Sequence, residues 1–354
     1  MENIDYSTED FTIEEWLKMM VRKGSSDLHM KAGAPPSARI DGELIPLGPQ
    51  SLSADKIRYL IESILTDSQK AEFIANKELD LAYSIPGLSR FRINVYLQRG
   101  TWAGAFRVVP ARPFSIDELK LPPIIKDFSL KPRGLLLVTG PTGSGKSTTL
   151  AAMINHINEC RRCHIVTVED PIEFLHKDIS SIISQRELNA DTNSFAEALK
   201  RVLRQDPDVI LIGEMRDLET TAIAITAAET GHLVLATLHT NSAATTVDRV
   251  IDIFPPHQQQ QIRMQLSVTL EGICCQTLIP KASGKGRCMA MEILPVTPAI
   301  RNVIREGKTH QIPNLIQSGA QYGMQGMDMA LRDLYNQGII TYEEALAKSQ
   351  KPKE

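Results

Sequence analysis

The sequence has 354 residues, 42% hydrophobic and 23% charged, with a formal net charge of −3. That length is enough for two packed domains and excludes a single small module, and the near-balanced charge speaks against the broadly basic surface that nucleic acid demands. No stretch is long and apolar enough to span a bilayer, and Met1 to Phe11 is acidic where a signal peptide would be basic and then apolar, so a soluble protein inside the cell is expected.

Thr12-Ile-Glu-Glu15 reads as a capping box, followed by apolar Ile13, Trp16, Leu17 and Met20 at helical spacing, with Gly24 as the stop. From Ser37 to Val109 the pattern reads as β-rich. Phe91, Ile93 and Val95 alternate with Arg92, Asn94 and Tyr96, and a second strand is predicted over Trp102 to Val109. Residues 1–110 are therefore read as a small α+β domain. Pro113, Pro122, Pro123 and Pro132 interrupt regular structure between Ala111 and Arg133, which makes 111–133 the natural linker.

Beyond it, apolar runs at Gly134 to Val138, Ile165 to Val168, Val209 to Ile212 and Leu233 to Leu238 alternate with helical patterns at Lys146 to Asn158, Ser194 to Leu203 and Leu218 to Glu229. Such alternation predicts an α/β domain over 134–294, its mostly parallel sheet covered on both faces. After Pro295 the signal is helical. Thr297 caps a helix with Pro298 at its first position, and helices are predicted near Gln325 to Tyr335 and Tyr342 to Lys348. Of the five cysteines, Cys160-Arg-Arg-Cys163 forms a CxxC, but no second pair completes a zinc site, and the odd number fits a reducing compartment.

Gly140-Pro141-Thr142-Gly143-Ser144-Gly145-Lys146-Ser147 matches GxxxxGK[ST] in full, between a predicted strand and a predicted helix that continues through Thr148. Its glycines let backbone N–H groups curl around phosphate oxygens, and the helix adds its positive end. Lys146 supplies charge to the β- and γ-phosphates of ATP, and the Ser147 hydroxyl is placed for Mg²⁺. Val209-Ile-Leu-Ile212-Gly213-Glu214 offers the metal-side carboxylate, Glu214, at a strand end, with Gly-Glu where the Asp of a Walker B strand usually stands. Glu169-Asp170-Pro171-Ile172-Glu173 follows another strand. A carboxylate there can orient and deprotonate the attacking water, and Glu173 is assigned that task with Glu169 and Asp170 in support. His232 and His239 flank the strand Leu233 to Leu238; either senses the γ-phosphate or satisfies a buried hydrogen bond. Arg92, Arg107, Arg204 and Arg216 are candidates for an arginine supplied in trans, an addition worth about 10³- to 10⁵-fold in phosphoryl transfer.

These motifs resemble the secretion and pilus ATPases, and within them the twitching motility proteins of the PilT/PilU kind. Besides the phosphate loop, Val168-Glu-Asp-Pro-Ile-Glu-Phe174 is similar to the family's Asp box, and Leu203-Arg-Gln-Asp-Pro-Asp208 leads into Gly213-Glu-Met-Arg-Asp217, similar to its Walker B signature. Thr230-Gly-His232-Leu and Thr237-Leu-His239-Thr resemble the His boxes. Ala299-Ile-Arg-Asn-Val-Ile-Arg-Glu306 is close to the retraction-type AIRNLIRE motif, with Val303 in place of Leu. The resemblance implies a PAS-like first domain, a RecA-like second domain with a helical region over 295–354, and a homohexamer with ATP at its seams. It also implies Glu173 as general base, Glu214 as the Mg²⁺ carboxylate, and an inner-membrane pilus platform protein as partner, with a paralogous retraction ATPase as a further one. The chain is thus expected at the cytoplasmic face of the inner membrane. Arg301 and Arg305, one turn apart on the polar face of their helix, are read as contacts for an acidic partner surface. A pilus-extension or type II secretion ATPase is the alternative reading, although the longer leader and tetracysteine segment usual there do not appear in this sequence. A DNA-translocating motor is the more distant one.

Overall fold

Thr12 starts the first helix as its capping box predicts. Its hydroxyl accepts from the Glu15 N–H, the Glu15 carboxylate takes the Thr12 N–H at 2.7 Å, and helix Ile13–Arg22 (α1) follows. Trp16, Leu17 and Met20 are fully buried along one face. The computed structural model describes residues 11–40, 42–110 and 112–349, so the acidic start of the chain, Phe11 apart, lies outside the described residues.

By internal packing the chain divides into two units, Met1–Arg112 and Pro113–Glu354. In the first, strands Asp27–Lys31 (β1), Ser37–Ile40 (β2), Glu43–Pro46 (β3), Glu78–Ile85 (β4), Ser89–Gln98 (β5) and Thr101–Val109 (β6) form an antiparallel sheet in the order β3-β2-β1-β6-β5-β4. Phe91, Ile93 and Val95 of β5 are buried in one core with α1, while Arg92 is exposed, which is the alternation read from the sequence. The β-rich reading of Ser37 to Val109 needs correction, because helices Ala54–Glu62 (α2) and Asp67–Asn76 (α3) interrupt it. Only Phe73 of α3 is buried, so that helix lacks the apolar stripe by which a sequence announces one.

In the second unit the proline-rich stretch leads into a helix, Ile124–Ser129 (α4), and Ile116, Leu121, Ile125 and Phe128 are buried in a core with Leu136 and Val138. Strand Gly134–Thr139 (β7) precedes the glycine loop and helix Lys146–Cys160 (α5). There follow His164–Glu169 (β8), Ile182–Glu187 (β9), Phe195–Val202 (α6), Val209–Ile212 (β10), Leu218–Glu229 (α7), Leu233–Leu238 (β11), Ala243–Asp252 (α8), Pro256–Thr269 (α9), Leu270–Pro280 (β12) and Arg287–Pro295 (β13). The sheet runs β13-β12-β7-β11-β10-β8-β9, parallel throughout except for β13. Leu135 and Leu137 face one core and Leu136 and Val138 the other, so helices cover both faces. Helices Pro298–Arg305 (α10), Ile312–Ser318 (α11), Met327–Asn336 (α12) and Tyr342–Lys348 (α13) complete the unit, with Thr297 capping α10. Among the described residues no helix is long and apolar enough to cross a membrane.

Candidate active site

Parallel pairing sets the site. Thr139 pairs with Leu238, Ile212 with Ala236 and with Val168, so β7, β11, β10 and β8 all end along one edge of the sheet. The glycine loop, His239, Glu214 and the Asp170 to Glu173 loop leave those ends. Open parallel sheets bind ligands at this edge.

Gly140, Gly143 and Gly145 have φ of 143°, 77° and 89°, which other residues rarely adopt. Gly140 has a second reason to be glycine, since a Cβ there would stand 2.2 Å from the Gln276 carbonyl oxygen. Helix α5 begins at Lys146 without a side-chain cap, leaving its first N–H groups to the loop, the arrangement that binds anions. Pro141, Thr142 and Ser147 are exposed, Thr148 is half-buried and Ser144 is buried. The Lys146 ammonium donates to the carbonyls of Gly140 at 2.9 Å and Pro141 at 3.1 Å. Partial burial lowers its pKa, against the opposing charge of Glu214.

Glu214 lies just past the end of β10. Arg216 Nη2 reaches its Oε2 at 2.6 Å and His239 Nε2 its Oε1 at 3.1 Å. Partial burial works against the charged carboxylate, but the Arg216 hydrogen bond and His239 outweigh it and hold the group below its usual range. Gly213 is pinned on both sides, its N–H on the Val168 carbonyl at 2.8 Å and its own carbonyl taking the Thr237 hydroxyl at 2.5 Å. The carboxylate therefore leaves a fixed backbone.

The glutamate that ends β8 and the one on the loop after it differ. Burial raises the pKa of Glu169, while Thr167 at 2.6 Å, Gln185 at 3.2 Å and the Glu173 backbone oppose that shift. Glu173 is exposed and its carboxylate has no hydrogen-bond partner among the described residues. Exposed Asp170 adds its charge to Arg216.

His232 does not join this group. It precedes β11, whose six residues put it roughly 20 Å from the edge with the phosphate loop. Its Nδ1 lies 2.9 Å from the Ala227 carbonyl, the hydrogen bond that one of its two readings expects. Arg204, ahead of β10, also lies toward that far edge. Arg92 and Arg107 belong to the first unit, where they are direct cross-strand partners. Arg107 Nε holds Asp27 at 2.7 Å, while exposed Arg92 has no polar partner among the described residues. Arg301, read as a partner contact, is engaged inside the chain. It donates to the carbonyls of Ser267 and Val268, each at 2.9 Å, and to Glu271 at 2.6 Å. Arg305 is exposed and, among the described residues, bonds only Asn302 in its own helix.

Three residues escaped the sequence reading. Gln276 on β12 donates from Nε2 to the Ser144 carbonyl at 2.8 Å. Gln185 on β9 links Glu169, the Phe174 carbonyl and the His176 N–H. Glu187, buried at the end of β9, takes the Ile172 N–H at 3.0 Å. Their partners lie on other elements, so no local motif signals them.

Hydroxyl and carboxylate oxygens of Ser147 and Glu214 suit Mg²⁺, and no cluster of three or more His, Cys, Asp or Glu able to hold a metal occurs among the described residues. Mg²⁺ bound through one or two protein oxygens, waters and substrate phosphates needs no such cluster.

Residues 118–347 match the family model described as type II/IV secretion system protein. The chain is 47% identical over 340 residues to the "Type IV pilus retractation ATPase PilT" of Pseudomonas aeruginosa, across 96% of this chain and 98% of that protein. The chain belongs to the type II/IV secretion system protein family. Another relative in that family, the "Type IV pilus ATPase PilU" of the same organism, is 43% identical over 334 residues, 94% of this chain and 87% of its own length. The crystal structure of the pilus retraction motor PilT with bound ADP has a TM-score of 0.91 and 46% identity, covering 97% of this chain and 98% of that one. The two-part α/β architecture, a PAS-like unit followed by a RecA-like one, is thus shared with that PilT structure.

Proposed function

We propose that this chain is an ATP-hydrolysing motor subunit that powers type IV pilus retraction at the cytoplasmic face of the inner membrane. The observation that carries the reading is the near full-length similarity to a retraction ATPase, joined to a complete phosphate loop facing a fixed carboxylate at one sheet edge.

The loop from Gly140 to Thr148 cradles the phosphates with backbone N–H groups, and Lys146 places its charge on the β- and γ-phosphates. Ser147 and Glu214 would hold Mg²⁺, which would supply charge neutralisation at the phosphate oxygens when bound. Glu173 takes the proton of the attacking water, and its lack of a hydrogen-bond partner leaves its lone pairs available for it. His239 and Arg216 keep Glu214 ionised and oriented. Arg92 and Arg107, on a rigid sheet in the first domain, act on the developing charge in an assembled homohexamer, so that hydrolysis is coupled to the geometry of the ring. A platform protein in the inner membrane and a paralogous ATPase are its partners, with Arg305 on the exposed side of α10 as a contact. The PAS-like domain over 1–110, ATPase domain 134–294 and helical region 295–354 are the parts of this machine, joined through 111–133, whose Ile116, Leu121, Ile125 and Phe128 pack into the core of the second unit.

Deleting the gene in its own organism and counting surface pili tests the direction of work. Excess pili without twitching agrees with retraction. Bald cells would assign the chain to pilus extension instead.

A further inference from the structure

We infer that Gln276 is a positioning residue that aims the Gly145 N–H of the phosphate loop at the β-phosphate; the inference rests on the nucleotide-binding reading above. The last register pair between β12 and β7 is Cys275 with Thr139, so Gln276 lies beside the first residue of the loop. Its backbone carbonyl is so close to Gly140 that no Cβ would fit between them. Its side-chain amide, 1% exposed, crosses to the far end of the loop and donates to the Ser144 carbonyl at 2.8 Å. One residue thus lies against the loop at its entry and is bonded to it at its exit.

The consequence follows from peptide geometry. The Ser144 carbonyl and the Gly145 N–H belong to one planar trans peptide and point in opposite directions. An amide donor that draws the carbonyl toward β12 therefore turns the N–H away from β12. The bond also polarises that peptide, which strengthens its N–H as a donor. Gly145 has the space and the φ of 89° for this orientation, and an ideal Cβ there would crowd Gln276 Nε2 at 3.3 Å. Gln276 Oε1 has no partner among the described residues, so the bond to Ser144 is made by the donor end of the amide.

Purified full-length protein is titrated with ADP and with AMP, which lacks the β-phosphate. Gln276→Met keeps the length and removes the donor, and it should weaken ADP binding by roughly tenfold with AMP binding unchanged. Gln276→Glu has a donor only when protonated, so its ADP affinity should match the parent at low pH and fall as pH rises, while the parent measured alongside sets the baseline. The Glu variant carries the test alone should the Met variant not fold. Unchanged ADP affinity in the variants, or equal losses for ADP and AMP, overturns the inference. A parent that binds no ADP overturns the nucleotide reading itself.

Discussion

Glu169, the last residue of β8, and Glu173, four residues on in the loop that follows, have opposite surroundings: burial presses the first toward its neutral form, and the second is exposed. The same loop holds His176, whose pKa burial lowers to about 4 and whose Nδ1 is buried without a partner among the described residues. The unfolded chain takes up a proton there near pH 6.5 while the folded chain resists until about pH 4, so stability is lost as pH falls through that window. His176→Leu should remove up to about 3 kcal/mol of this acid sensitivity, visible as a flatter dependence of the urea midpoint on pH between 7 and 4. A slope identical to that of the parent would contradict the assignment. Gly140→Ala meets both a positive φ and a backbone oxygen, and Gly143→Ala meets only the φ. Both should destabilise, the first by more than the second's cost of about 1 kcal/mol, and nucleotide affinity should fall further in the first. The phosphate loop was legible because its chemistry is written in eight consecutive residues. Gln276 was not, since its partner lies 132 positions away and only the sheet brings them together.

Among the elements, α10 separates two arginines that spacing alone treats alike. Arg301 and Arg305 share a face and gain nothing from each other, which pointed to an acid outside the chain. For Arg301 an acid lies within the chain, Glu271 at the start of β12, and the same guanidinium donates to carbonyls in the last turn of α9. Arg301→Ala should therefore cost about 1–3 kcal/mol in urea unfolding, and Arg305→Ala within about 0.5 kcal/mol. Equal costs would return both arginines to the same role. Strands β7, β8, β10 and β11 were readable as compact apolar runs, because strands buried on both faces need apolar side chains throughout. Strand β9, with exposed Ile182 at the sheet edge, lacks that signature, and α3 lacks an apolar stripe.

At the scale of the molecule, a parallel sheet delivers four sequence motifs to one edge, and the sequence order of those motifs says nothing of that convergence until strand order is known. His232 and His239 belong to look-alike motifs seven positions apart, yet one strand carries them to opposite edges. The first unit contributes a separate antiparallel sheet with Arg92 and Arg107 side by side. Changing both to alanine should leave nucleotide binding by the chain intact and lower turnover of the assembled protein by at least about 10³-fold. Steady-state hydrolysis beside a binding isotherm separates the two effects. The most direct test of the whole account is ATP turnover by purified protein carrying Glu173→Gln. Hydrolysis should fall by at least about 10²-fold while ATP affinity stays at the parental value. Turnover at the parental rate would contradict the assignment of the catalytic base and the mechanism built on it.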